Sequence, residues 1–108
     1  LDKKAQVLGE YLAQKLEGLK RFGVVREVRG KGLLRGVELV KNPSTNEPFP
    51  ADRKLGAAFK KTTVKNGLIL RADFDWFAVG PPLIVEKSDI DELYDLIEKS
   101  LQDALAQV

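Results

Sequence analysis

Neither cysteine nor histidine occurs in the 108 residues of this chain. Their absence removes disulfides, thiolate nucleophiles, cysteine- and imidazole-ligated metals, and the commonest general base. Methionine is absent as well, even at position 1, where Leu1 opens directly on a helical pattern. That points to a fragment or processed product of something longer. No apolar run approaches the ~20 residues that span a bilayer. Leu1-Asp2-Lys3-Lys4 leads into no signal-like apolar block, so no membrane association is expected and the expected location is the cytoplasm. Excess charge is scarce too: 18 basic and 16 acidic side chains leave +2, too little to argue for a nucleic-acid partner. The basic cluster Arg26, Arg29, Lys31 and Arg35 is interrupted by Gly30 and Gly32, a spacing that fits a tight turn better than a phosphate or RNA site. What is present, 44% hydrophobic and 31% charged residues, suits one globular domain with one core.

Leu1, Ala5, Leu8, Leu12, Leu16 and Leu19 recur at intervals of three and four, which predicts a first helix that buries one stripe and stops at Gly23. Val24 to Val28 and Leu33 to Val40 read as two strands joined through Arg29-Gly30-Lys31-Gly32. Gly36 within the second strand marks a bulge or a close backbone neighbour, and Glu38 reads as a carboxylate paired with Arg26 or Arg35. The three prolines of Lys41 to Pro50 make a loop. A second helix, Asp52 to Asn66, is expected to bury Leu55, Ala58, Phe59 and Val64, with Asp52 as its cap and Gly67 as its stop. A third starts at Ser88-Asp89-Ile90-Asp91, with Ser88 as the cap, and buries Ile90, Leu93, Ile97, Leu101, Ala104, Leu105 and Val108.

Between the last two helices lies Gly67 to Val85. Leu68 to Leu70 and Trp76 to Val79 are β-prone runs around the linker Ala72-Asp73-Phe74-Asp75, a hairpin pattern, and Gly80-Pro81-Pro82 ends the second run. Helix, strand, strand, helix, strand, strand, helix implies an α+β fold: a small, mostly antiparallel sheet of about four strands packed with three helices. The residues alone show no nucleophile–base pair, no phosphate-cradling loop and no carboxylate pair with a reason for a raised pKa.

Val28-Arg29-Gly30-Lys31-Gly32-Leu33-Leu34-Arg35-Gly36-Val37-Glu38-Leu39, Asn66-Gly67-Leu68-Ile69-Leu70-Arg71, Gly80-Pro81-Pro82-Leu83-Ile84-Val85 and Ile90-Asp91-Glu92-Leu93 stand in one register over about the whole chain. In this the chain resembles the C-terminal small domain of class III aminotransferases, pyridoxal-phosphate enzymes of fold type I. The resemblance implies that residues 1–108 are such a domain without the large one. It also implies that the Schiff-base lysine, the aspartate facing the pyridine nitrogen and the phosphate-binding groups lie in that preceding large domain. No residue here matches them, so no catalytic or cofactor-binding residue is expected in the chain, and the isolated chain is expected to be inactive and to bind no pyridoxal 5'-phosphate.

Implied partners are the large domain of the parent chain, a second copy in a homodimer, and a small amino donor and keto acid. In ornithine- and acetylornithine-type members the residue three before the Pro-Pro pair is an arginine for the substrate α-carboxylate; here it is Ala78. In ω-amino acid or amine:pyruvate members, the arginine ending the Gly-Leu-Ile-x-Arg string binds carboxylates and swings away for apolar amines. Here it is Arg71. The plainer reading of Arg71 is a strand-end arginine paired with Asp73 or Asp75, and of Trp76 and Phe77, core or domain-interface aromatics. For the chain as a whole, the alternative to an aminotransferase domain is a free-standing binding or dimerisation module without catalysis.

Overall fold

The computed structural model describes residues 3–67, 70–73, 75–80 and 86–108. Helix α1 (Lys3–Glu17) runs into a 3-10 turn at Gly18–Phe22, and Gly23 closes it at φ 74° with its N–H on the Lys20 carbonyl. The stop is where glycine's tolerance of left-handed backbone requires it. Strands β1 (Val25–Lys31) and β2 (Leu34–Leu39) follow, then α2 (Leu55–Lys65), β3 (Arg71–Asp73), β4 (Trp76–Val79) and α3 (Lys87–Leu105). The strands form one antiparallel sheet in the order β1-β2-β4-β3. The expected α+β fold of four strands and three helices is the one observed.

Both hairpins are tighter than the sequence suggested. Lys31 pairs with Leu34, so Gly32 and Leu33 alone make the first turn, and Gly32 supplies the positive φ of 53°. Asp73 pairs with Trp76, so Ala72 and Asp73 belong to a strand, not to the turn. Leu70 precedes that strand, while Leu68 and Ile69, read as strand, lie outside the described residues, as do Phe74 and Pro81 to Val85. Two-residue loops match the right-handed strand twist and are the commonest hairpin closures.

Register places Val28, Val37, Phe77 and Ala72 in one row on one face. Helices α1 and α2 lie against the sheet, and α3 packs chiefly on them. Leu12, Leu16, Val37, Leu55, Phe59, Phe77, Ile97 and Leu101 are fully buried between, and the Phe59 and Phe77 rings meet with centroids 4.4 Å apart.

Several local expectations are corrected. The bulge is not at Gly36 but between Val25 and Glu27, and a Cβ at Gly36 would only touch the Arg29 carbonyl at 4.0 Å. Helix α2 begins at Leu55 without a side-chain cap, because residues 50–53 first close a turn through Arg53 N–H to the Pro50 carbonyl at 2.9 Å. Val64 is exposed, whereas Thr62 and Thr63 are buried. Thr62 is satisfied there by donating to the Ser100 carbonyl at 2.7 Å. In α3 the N-cap is Glu86, whose N–H donates to Asp89 Oδ2 at 2.8 Å, and Tyr94 and Ser100 join the buried face on which Leu93, Leu105 and Val108 are only half-buried.

Candidate functional site

The opposite face of the sheet carries two cross-strand rows. One is Arg29, Gly36, Ala78 and Arg71; the other is Glu27, Glu38, Trp76 and Asp73. Alternation of side chains across the pleat puts them there, because their neighbours Val28, Val37, Phe77 and Ala72 point into the core. Arg29, Leu34 and Arg71 on this face are exposed.

Arg71 is the first residue of β3, a three-residue edge strand, and its cross-strand partner is Ala78. The two positions singled out in the sequence, 71 and 78, are therefore neighbours on one surface. A guanidinium at position 78 would stand directly beside that of Arg71, an unfavourable like-charge pair. Among the described residues Arg71 makes no ion pair, either with Asp73 or with Asp75; the arginines that do are Arg21, Arg26 and Arg29. Its cross-strand neighbour on this exposed face is the small Ala78.

Farther along the same face, Glu38 receives Arg26 and Arg29, the latter at 2.5 Å. Arg35 turns instead to the Gly32 and Gly30 carbonyls, at 2.7 and 3.1 Å, so the expected partner Arg26 is borne out and Arg35 is not. These contacts use three members of the basic cluster to hold the first hairpin. Arg26, Arg29, Glu38, Asn46, Pro48 and Trp76 are among the residues lining a cleft of about 370 Å³ that does not include Arg71. Phe77 is a core aromatic, as expected, while Trp76 is half-buried on the open face. The alternation with Phe77 and Val79 was the signal that would have placed it.

The chain's own residues do not fit a pyridoxal-phosphate site. Every lysine is exposed or half-exposed, with none in the desolvated pocket that makes a Schiff-base amine reactive. Among the described residues no acidic cluster suits a metal ion, and no helix is long and apolar enough to cross a membrane.

Fold and site define an α+β domain with one helix-covered and one open sheet face, an arginine at the open edge. Residues 1–101 match the family Aminotransferase class-III, and the chain belongs to that family. It is 39% identical over 98 residues to a putrescine–pyruvate aminotransferase of Pseudomonas aeruginosa, covering 91% of this chain and 21% of that protein. It is 40% identical over 90 residues to the chloroplastic gamma aminobutyrate transaminase 3 of Solanum lycopersicum, covering 81% and 17%. An (S)-enantioselective omega-transaminase from Thermomicrobium roseum superposes with a TM-score of 0.87 at 36% identity, over 95% of this chain and 23% of the other. An omega transaminase from Pseudomonas jessenii in complex with PMP gives 0.88 at 30%, over 98% and 23%. The chain thus spans about a fifth of the length of these relatives.

Proposed function

We propose that this chain is the C-terminal small domain of a pyridoxal-phosphate-dependent aminotransferase that moves an amino group between an ω-amino acid or amine and a keto acid such as pyruvate. In this reading its part is to offer Arg71 to the substrate carboxylate. The observation that carries it is the Arg71 guanidinium: exposed on the open sheet face, unpaired among the described residues, and facing Ala78 where a competing arginine would otherwise stand. A guanidinium grips a carboxylate through two parallel charge-assisted hydrogen bonds, and an apolar amine gives it nothing to grip. Relatives named for putrescine with pyruvate and for gamma-aminobutyrate support the substrate class. Pyridoxal phosphate, bound by groups outside this chain, would carry the amino group between donor and acceptor. The partner surface is the large domain of the same parent chain, within a cytoplasmic homodimer.

The test is Arg71→Ala in the full-length parent, with the two half-reactions measured separately. kcat/KM for keto and ω-amino acids should fall by about ten- to a hundredfold, the worth of a bidentate charged pair, and more than for an apolar amine. Arg71→Lys should recover only part, since an ammonium keeps the charge and loses the fork. Equal losses in both half-reactions, or none, would overturn the role of Arg71. A folded parent inactive toward every amine and keto acid would favour the binding or dimerisation module.

A further inference from the structure

Arg71 opens a strand that can do little to fix itself. Strand β3 has three residues and is paired on one side only, by β4. A ladder this short leaves the position of its first residue weakly determined. The other constraints are the packing of β3 against α2 and the chain before it, which arrives from the end of that helix.

That end is tied down by polar contacts to α3. Asn66 Nδ2 donates to Ser100 Oγ at 3.1 Å and to Asp103 Oδ2 at 3.4 Å. One turn earlier, Thr62 Oγ1 donates to the Ser100 carbonyl at 2.7 Å, and the Asn66 N–H closes the helix on the Thr62 carbonyl at 3.0 Å. Ser100 is fully buried and Thr62 nearly so, at 0% and 2% exposure, so neither group has water as an alternative partner. Gly67 then leaves the helix at φ 81°, its N–H on the Val64 carbonyl. The chain reaches Arg71 four residues later. Nothing about helix formation requires Asn66 to reach sideways to α3; its side chain joins two helices at the point where the connection to β3 begins.

We propose that Asn66 is a positioning residue for Arg71: clamped to Ser100 and Asp103, it fixes where the segment leading to β3 departs from α2, and so where the guanidinium stands over the open face. The inference rests on the carboxylate-binding reading of Arg71 and adds to it a residue that touches no substrate. Losing the clamp leaves the guanidinium present but misplaced. Recognition of carboxylates then weakens more than recognition of apolar amines, and KM moves more than kcat.

The experiment uses the full-length parent with its cofactor and compares wild type, Asn66→Ala and Arg71→Ala. Hydrogen exchange followed by mass spectrometry should show faster exchange in the segment 67–73 of Asn66→Ala, with α1 unaltered. KM for pyruvate should rise by about three- to tenfold, the range expected from one or two hydrogen bonds, and the ratio of kcat/KM for pyruvate to that for an apolar amine should fall. In the Arg71→Ala background the same substitution should add nothing to that ratio. Should Asn66→Ala fail to fold, Ser100→Ala, which removes the first acceptor and leaves Asn66 in place, carries the same test. Unchanged exchange in 67–73 overturns the clamp. A selective loss in Arg71→Ala without one in Asn66→Ala overturns the role of Asn66 alone. No selectivity in Arg71→Ala overturns the carboxylate reading, and the recognition role of Asn66 with it.

Discussion

On the inner face of the sheet, Val37, Phe77 and Val79 are at most 1% exposed, and helices lie against them. On the outer face, one strand spacing and one residue away, Gly36 and Ala78 are half-buried and Arg29 and Arg71 are exposed. The same four strands, then, hold the domain together with one set of alternate residues and present charge and small side chains with the other. Burial of apolar surface is the main stabilising term and is confined to the inner set. The outer set is less constrained by folding, since ion pairs between solvent-exposed side chains contribute only about 0–1 kcal/mol. If this division is right, stability and recognition should separate cleanly under substitution.

The largest effect is expected at the centre of α3. Ile97 is fully buried, so Ile97→Asp forces either an unpaired charge into the core or the opening of the helix layer. A loss of about 4 kcal/mol or more, against a total of ~5–15 kcal/mol, should leave the 108-residue chain largely unfolded in a thermal or urea melt. An unchanged melt would mean that the helices bury some other face.

A smaller loss is expected where α1 crosses the first hairpin. A Cβ on Gly9 would lie 2.3 Å from the Gly32 carbonyl oxygen, and the atoms it meets are backbone. Gly9→Ala gains about 1 kcal/mol of helix propensity. Forcing α1 off the turn costs roughly 1–3 kcal/mol, so the net should be destabilising and visible as a lower urea midpoint. A more stable variant would show that α1 can shift at no cost, and that the inner layer is looser than its packing implies.

The seam between α1 and α3 adds a pH-dependent contribution. Tyr11 donates to Asp91, and that hydrogen bond, with some desolvation and the nearby negative charge, raises the Tyr11 pKa above its ordinary 10.0. A raised folded-state pKa favours the protonated phenol in the native chain. Its stabilisation is therefore complete below pH 10 and is lost as pH rises from there through the folded value. Tyr11→Phe should remove that part of the alkaline decline, so the wild-type and variant stability curves converge above pH 10. Curves that stay parallel would detach Tyr11 from the seam.

Particular residues show what the sequence could and could not reveal about the two faces. In α2 the apolar residues suggested Val64 for the core, but it lies nine residues after Leu55, about 180° around a helix of 3.6 residues per turn. Thr62 and Thr63, at helical phases matching Leu55 and Phe59, take the buried places, and the phase was legible although hydrophobicity pointed elsewhere. In both hairpins Arg29 to Lys31, and Ala72 with Asp73, read as turn and are strand. Arg29, Lys31 and Asp73 lie on the outer face, which does not ask its residues to be apolar, and the inner positions beside them hold only the small Gly30 and Ala72, so composition understates strand length there. Arg71 is the extreme case. Its chemistry suits a carboxylate, but only the resemblance of its surrounding string set it apart from the other exposed arginines, and its position beside Ala78 needed the register. The Asn66 clamp was not legible at all, since it joins residues 34 and 37 positions apart.

The smallest effect is the most diagnostic, because it is expected to be nearly zero. Arg71 makes no ion pair among the described residues and stands exposed on an edge strand, so Arg71→Ala should change the stability of the 108-residue chain by no more than about 0.5 kcal/mol. Two opposing contributions make up that figure. Truncation loses whatever the aliphatic stem covers of the neighbouring surface, and it gains back the side-chain freedom that an ordered arginine gives up. Neither is large at an exposed site. The measurement is the urea midpoint at constant m-value, which separates a change in stability from a change in the unfolded chain. A loss above about 1 kcal/mol would make Arg71 a structural arginine and undo the division between the two faces at the residue where it matters most. A loss near zero, together with a selective tenfold or greater fall in carboxylate turnover in the parent, would place all of the selection on Arg71 in recognition, because nothing in folding then requires a guanidinium at that position.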